Sequence, residues 1–478
     1  MANAASGGPA AATYDQSDLK RSILLLYSSV GLPLAIIGYP IAIWIPPRYA
    51  DSELGLTLPI IGTILIFARL SDVITDPLIG NLSDNQPTRW GRRKPWILLG
   101  VPVMCLGIYN LFMPPEGAGI GRLLVWISVM YLGGTLINVP YGAWGAELSP
   151  VYHQRSRVTA VRELFLLVGL ILAALIPVIV NELWAPGVDR YLTVMAWTII
   201  LILPASVFIL LRFVPEPPVV HHTKVSIREG AVAMWANGPM RIVLIILFAV
   251  TTAEAFRNAL TYFFMRDYIG FDVANASRLY ATYFFVAVLS VPGWLWMGRR
   301  IGKHRAFTIA IVGVTLVSFL TYALRPGDTV AYVALFMTKG LCYGAVQFLP
   351  LAMLADVVDV DSIRTRGGER AGSFFALAGM TSKLSIAIGT GISYNIAGLL
   401  GYDASGVADA NTNEALRAMA FQYSIMPGAA YLPAIWLTWV YPLTPERQAR
   451  LRALIDRRRA RIDAKRGESA AVRRDQAP

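Results

Sequence analysis

Charge is scarce in this chain of 478 residues: Asp, Glu, Lys and Arg make up only 15%, against 55% hydrophobic residues, where an ordinary soluble domain is about 25% charged. So little polar material cannot coat a soluble particle of this length, and the mean hydropathy of +0.53 agrees. Cysteine is equally sparse. Cys105 and Cys342 both fall in apolar segments, where a thiol packs as a small hydrophobe, so no disulfide framework is expected. The four histidines, His153, His221, His222 and His304, lie between apolar segments without zinc-ligand spacing, which argues against a metalloenzyme. The N-terminus lacks the charged start and apolar core of a cleaved signal peptide, so the first apolar segment is expected to insert uncleaved.

What is abundant is long apolar sequence. Twelve stretches are of membrane-crossing length, six between Ser22 and Val214 and six between Met240 and Tyr441, each near or above the roughly 18 residues a spanning helix needs. The expected fold class is an all-α membrane protein of twelve transmembrane helices in two six-helix halves. The chain divides into an N-terminal tail (1–21), a first bundle (22–214), a central loop (215–239), a second bundle (240–441) and a basic tail (442–478). Alternate loops concentrate Lys and Arg, among them Arg89, Arg92, Arg93, Lys94, Arg299, Arg300, Lys303 and Arg305, while the opposite set holds no lysine. By the positive-inside bias both termini and the central loop are cytoplasmic in a multi-pass cell (inner) membrane protein. The net charge of +12 then reflects topology, and no nucleic-acid partner is implied. In the tail, Leu451, Leu454, Ile455 and Ile462 share a helical face, which suits an interfacial helix.

Two carboxylates stand in the wrong solvent. Asp72 and Asp76 sit inside the second apolar stretch, where a charge costs roughly 2.5–3.5 kcal/mol on insertion scales. Positions four apart share a helical face, so both can converge on one cation, with the Thr75 hydroxyl beside them. Glu254 and Arg257 lie one turn apart in the seventh stretch, followed by Asn258 and Tyr262. Lys339 and Lys383 lie roughly 15–20 Å along their helices at 1.5 Å per residue. Such depths require a cavity or a partner. Among the aromatics, Tyr141 is a candidate for stacking on a sugar ring. Asp84, Arg92 and Arg93, with Asp356 and Asp359 opposite, are candidates for a gating ion-pair latch. An echo of Gly80-Asn81-Leu82-Ser83-Asp84 and Gly91-Arg92-Arg93-Lys94 in Gly293-Trp294-Leu295 and Arg299-Arg300-Ile301-Gly302-Lys303 suggests duplicated halves that rock about a midplane site.

In order along the chain, Asp72-x-x-x-Asp76-Pro77-x-x-Gly80, Ser83-Asp84, Arg89-Trp90-Gly91-Arg92-Arg93-Lys94-Pro95-Trp96, Asn138-Val139-Pro140-Tyr141-Gly142, Leu354-Ala355-Asp356-Val357-Val358-Asp359 and the spacing from Arg370 to Lys383 resemble the glycoside–pentoside–hexuronide:cation symporters of the major facilitator superfamily, the melibiose permease-like carriers. The resemblance implies symport of a small-molecule substrate coupled to sodium or a proton, with no other cofactor, by what is expected to be a monomer in the bilayer. It implies a cation site of Asp72, Thr75 and Asp76 completed by Thr135, and places Asn138 and Arg162 at the substrate and Lys383 in the cavity, against the substrate or the aspartate pair. Members that carry neutral galactosides have an aspartate in the first helix and another at the position of Asn138. Here the first is replaced by the apolar Leu32-Pro33-Leu34-Ala35-Ile36-Ile37. Four intramembrane cations, Arg162, Arg257, Lys339 and Lys383, then face Glu254, apart from the aspartate pair, which favours an anionic glycoside such as a hexuronide. Two alternatives remain: a cation-coupled carrier of lysophospholipid or another amphiphile on the same fold, and, from another class, a membrane enzyme or non-transporting receptor, for which neither a catalytic constellation nor a large extramembrane domain is present.

Overall fold

The computed structural model describes residues 20–86, 88–149, 152–216, 237–364, 371–407, 410–442 and 447. The N-terminal tail, most of the central loop and the tail residues Leu451, Leu454, Ile455 and Ile462 lie outside them. The helices are α1 (Arg21–Ala50), α2 (Leu58–Asn85), α3 (Lys94–Phe112), α4 (Ile120–Glu147), α5 (Tyr152–Leu183), α6 (Val188–Phe213), α7 (Gly238–Ile269), α8 (Val273–Ile301), α9 (Lys303–Tyr322), α10 (Thr329–Arg364), α11 (Ala371–Leu399) and α12 (Asn413–Trp439). Eleven of them are long and apolar enough to cross a membrane. The twelfth, α12, is 27 residues long and carries Pro427 and Pro433.

Local chemistry sets the breaks and starts. α1 is built of three pieces, Arg21–Ser28, Gly31–Ile43 and Ile45–Ala50. Pro33 cannot tolerate the carbonyl four residues back, and Pro46 and Pro47 lack the N–H groups needed to continue the ladder, so the helix is interrupted before each. Proline in the first turn opens α2, α3 and α7, where a missing N–H is harmless. Side-chain caps start α7 as well as α8 and α12: Asn237 accepts from Met240 N, Asp272 from Asn275 N and Thr412 from Ala415 N, each satisfying an orphan donor. The last turn of α7, Phe264–Ile269, widens to a π-helix and stops at Gly270 with φ 85°.

α1 packs on α5 and α6, α2 on α4, and α3 on α4 and α6, while α7 packs on α11 and α12, α8 on α10, and α9 on α10 and α12. The two sets meet where α2 crosses α11 and α5 crosses α8. The α2–α11 crossing is close because it is made of small residues. A Cβ at Gly62 would stand 2.8 Å from Tyr394 Cβ, and Cβ atoms at Gly391 and Gly398 would overlap Ile66 and Pro59. All of these lie toward the end of the bundle away from the termini. There Trp44 is fully buried among the rings of Tyr191, Tyr262 and Tyr280, with centroids 5.1, 5.4 and 6.1 Å away. Asn181 donates to Ser277 Oγ at 2.8 Å, Arg278 pairs with Glu182 at 2.8 Å, and Ser52 N donates to the Ser405 carbonyl at 3.3 Å. The two sets of helices are therefore joined at that end.

Candidate functional site

The acid pair on α2 is brought against α4 and α11. Lys383 Nζ donates to Asp76 Oδ2 at 2.6 Å and stands 3.2 Å from Asp72 Oδ2. Thr135 Oγ1 donates to Asp76 Oδ1 at 2.9 Å. Arg69, one turn before Asp72, reaches its Oδ2 at 3.4 Å while lying 4.1 Å above the Tyr131 ring. Two oxygens are left over: Asp72 Oδ1 and Thr75 Oγ1 are both buried without a hydrogen-bond partner. Asp72, Asp76 and Thr135 are thus drawn together around the Lys383 ammonium, with Thr75 on the same face of α2.

A second group surrounds a cavity of about 210 Å³ lined by Gly31 and Leu34 of α1, Asn138, Tyr141 and Gly142 of α4, and Arg162 and Leu166 of α5. Tyr141 is fixed face to face with Tyr27. Their rings stack at 4.5 Å, Tyr141 Oη donates to the Tyr27 carbonyl at 3.0 Å, and Tyr27 Oη donates to the Tyr141 carbonyl at 2.8 Å. Arg162 is half-buried and paired with Glu163 at 2.9 Å. Asn138 is exposed and spends its amide on the Gly134 carbonyl, which leaves its oxygen available.

The charges of α7 form a third cluster, sealed inside the second set of helices. Glu254 pairs with Lys339 of α10 at 3.0 Å and accepts from Tyr431 of α12 at 2.5 Å, and Lys339 donates to Asn258 at 3.2 Å. Arg257 turns toward α9, donating to Ser318 Oγ at 2.7 Å, and lies 4.8 Å over the Tyr423 ring. Lys339 and Arg257 are each only 1% exposed. Tyr262 packs edge-on to Trp44. The cationic excess expected from the sequence is thereby largely cancelled: Lys383, Lys339 and Arg162 each have an acid partner, because a buried cation must be neutralised or solvated.

At the end that carries the chain termini, Arg93 pairs with Asp84 at 3.2 Å and Glu147 at 2.7 Å, and Arg92 also pairs with Glu147. Glu216 Oε1 accepts from Arg92 N and Arg93 N at 3.0 and 2.9 Å, occupying the N-terminus of α3. Gly91, at φ 110°, makes room for it, since a Cβ there would overlap that carboxylate. Asp356 pairs with Lys303 at 2.8 Å, and the side chain of Asp359 lies outside the described residues. In this conformation Arg92, Arg93 and Asp356 therefore hold partners within their own sets of helices. Opposite, the π-helical turn pairs Arg266 with Asp267 at 2.6 Å, and Tyr402 donates to Asp267. Burial, and then the Asp267 charge, raises the Tyr402 hydroxyl well above its usual pKa, which keeps it a donor.

Sequence reasoning missed Arg69, Glu147, Glu216, Lys303 and Tyr431. Arg69 carried a usable signal, standing one turn before Asp72 on the same face. The rest are partners drawn from distant segments.

A twelve-helix bundle with a carboxylate pair at membrane depth, a lysine between the carboxylates and a cavity lined by Asn138, Tyr141 and Arg162 fits a secondary carrier of the major facilitator fold. The chain belongs to the MFS/sugar transport protein family, whose family model matches residues 26–445; this is a family of membrane transporters rather than enzymes, and the resemblance to glycoside–pentoside–hexuronide:cation symporters stands. The chain is 27% identical over 433 residues to the glucuronide carrier protein homolog of Escherichia coli (strain K12), covering 87% of this chain and 92% of that one. It is 24% identical over 480 residues to the sodium-dependent lysophosphatidylcholine symporter 1-B of Danio rerio, covering 91% and 89%. The crystal structure of a D-xylose-proton symporter shares the fold with a TM-score of 0.60 at 14% identity, over 88% of this chain and 97% of that one.

Proposed function

We propose that the protein is a cation-coupled symporter of an anionic glycoside such as a hexuronide. The observation that carries the coupling is Lys383 between Asp72 and Asp76: a tethered ammonium stands where a free cation would bind. The unpartnered Asp72 Oδ1 and Thr75 Oγ1 favour sodium as the coupling ion, because a metal ion uses several oxygens while a proton needs one carboxylate. With cytoplasmic termini, the conformation is inward-facing, closed at the outer end by α2–α11, α5–α8 and Trp44. Sodium entering the oxygen cluster displaces Lys383, which is then free to turn toward substrate in the cavity beside Arg162 and Asn138. Linkage requires each ligand to raise the other's affinity by the same factor.

The anionic class rests on Arg162, whose half-buried guanidinium is paired with the adjacent Glu163, lies beside Tyr27 and lines the cavity, where it suits bidentate capture of a carboxylate. The name of the glucuronide carrier relative supports the same class. The test is uptake into proteoliposomes with imposed sodium or proton gradients, offering glucuronides, the matching neutral glucosides and a lysophospholipid. Sodium-driven accumulation of glucuronide that Asp76→Asn abolishes is expected. Accumulation of the neutral glucoside alone, or of the lysolipid, refutes the substrate class, and concentrative uptake by Asp76→Asn with unchanged cation dependence refutes the coupling site.

A further inference from the structure

Arg69 touches the acid pair but takes no part in the exchange of Lys383 for sodium. It stands one turn before Asp72 on the same face of α2, its guanidinium 3.4 Å from Asp72 Oδ2 and 4.1 Å above the Tyr131 ring of α4. Lys383 reaches the same oxygen from α11 at 3.2 Å, and Asp76 Oδ2 at 2.6 Å. Two carboxylates therefore meet two cations, and among the described residues no other Lys, Arg, Asp or Glu is ion-paired with any of the four. The two cations differ in how they are held. Arg69, Asp72 and Asp76 lie on α2, and Tyr131 and Thr135 on α4, which packs against α2 in the first set of helices. Lys383 comes from the second set. When α11 moves relative to α2, or when an ion takes the place of the ammonium, Lys383 leaves and Arg69 stays. A guanidinium keeps its charge at any working pH, so a fixed positive charge remains beside Asp72.

We propose that Arg69 determines the valence of the coupling ion: it cancels one of the two carboxylate charges throughout the cycle and leaves a single unit for the ion that replaces Lys383. This rests on the coupling site proposed above. A sodium ion in the place of the ammonium restores neutrality. A divalent ion leaves one positive charge in excess at membrane depth, with only the shared Asp72 Oδ2 between it and the guanidinium. Coulomb energy scales with the product of the charges, so Arg69 repels a divalent ion about twice as strongly as the ammonium being displaced. Sodium and the ammonium are repelled alike, and Arg69 drops out of their exchange. The residue thus discriminates by charge rather than by size, without being a ligand of the ion. Its place over the Tyr131 ring helps to hold it there, since the face of an aromatic ring attracts a guanidinium.

The test uses the purified full-length protein in a neutral detergent, stripped of metal with a chelator and titrated with sodium chloride or calcium chloride at constant ionic strength. Binding is read by calorimetry and by the unfolding temperature. Calcium is close to sodium in size and takes oxygen ligands, so the two ions isolate the effect of charge. The parent should bind sodium and respond only weakly to calcium. Arg69→Gln should bind calcium at least tenfold more tightly than the parent, with sodium affinity within a few-fold, and Arg69→Gln/Asp76→Asn should lose the calcium gain. Arg69→Lys keeps the charge and should show the ion preference of the parent. Arg69→Met keeps an apolar stem against Tyr131 and gives the same readout if the glutamine variant does not fold. Equal calcium affinity in the parent and Arg69→Gln overturns the assignment. So does a calcium gain that survives Asp76→Asn, or a parent that binds calcium as tightly as sodium. A parent that binds no sodium refutes sodium as the coupling ion, and the calcium comparison still decides the role of Arg69.

Discussion

Replacing Lys383 with methionine separates a coupling role from a purely substrate-binding one. Methionine keeps the length and apolar stem of lysine but removes the ammonium that now sits 2.6 Å from Asp76 and 3.2 Å from Asp72. If sodium takes that place, the displaced ammonium remains close by. Two unit charges about 6 Å apart at an effective dielectric constant of ~20 repel by roughly 2.8 kcal/mol. The Lys383 side chain is 35% exposed, so solvent screening lowers this to about 1–2 kcal/mol. Lys383→Met should therefore bind sodium roughly 5–30-fold more tightly, since each 1.4 kcal/mol is about a factor of ten. The same variant should lose the mutual enhancement between sodium and substrate, because nothing is released when sodium enters. The assay is sodium titration of the purified protein by isothermal calorimetry, with and without substrate. Sodium affinity that is unchanged or weaker in Lys383→Met, with only substrate affinity reduced, would show that the ammonium serves the substrate and would sink the competition scheme.

Thr135→Ala removes the hydroxyl that donates to Asp76 at 2.9 Å; a hydrogen bond to a charged group contributes about 1.5–3 kcal/mol, so sodium affinity should change by at least tenfold while folding, read by circular dichroism, is kept. Unchanged affinity would remove Thr135 from the site. Lys339→Met leaves Glu254 buried with only the Tyr431 hydroxyl, and breaking such a pair costs about 3–5 kcal/mol; the unfolding temperature should fall sharply and be largely restored in Glu254→Gln/Lys339→Met. A single variant as stable as the parent would mean that the pair is solvated. Gly391→Leu forces a side chain into Ile66 at the α2–α11 crossing and should hold the outer end open, seen as a longer distance between spin labels placed at Ser52 and Ser405, with transport lost; an unchanged distance with normal uptake would contradict the closure assigned to that crossing.

The membrane helices were legible because each needs only length and apolar content, which sequence carries locally. The acid pair was legible for a similar reason: Asp72, Thr75 and Asp76 share one face of one helix, so α2 alone specifies them. Partner choice was not. Glu254 and Arg257 look like an ion pair in sequence, yet at 3.6 residues per turn side chains three apart still diverge by about 60°. That is enough to send Glu254 to Lys339 and Tyr431 and Arg257 to Ser318 of a different helix. The same limit applies to the gating charges, with one further turn. In a carrier that alternates between two conformations, a charge has one set of partners per conformation, while the sequence supplies only the charge. With α2 and α11 joined at the far end, Arg93 is held by Asp84 and Glu147, and Asp356 by Lys303, each on its own side. A latch between the two sides has to be sought in the opposite conformation, where closing the end that carries the termini would bring these already paired charges together. Its contribution is then the difference between two paired states, smaller than the gain from pairing free charges and therefore suited to a switch that must open as readily as it closes.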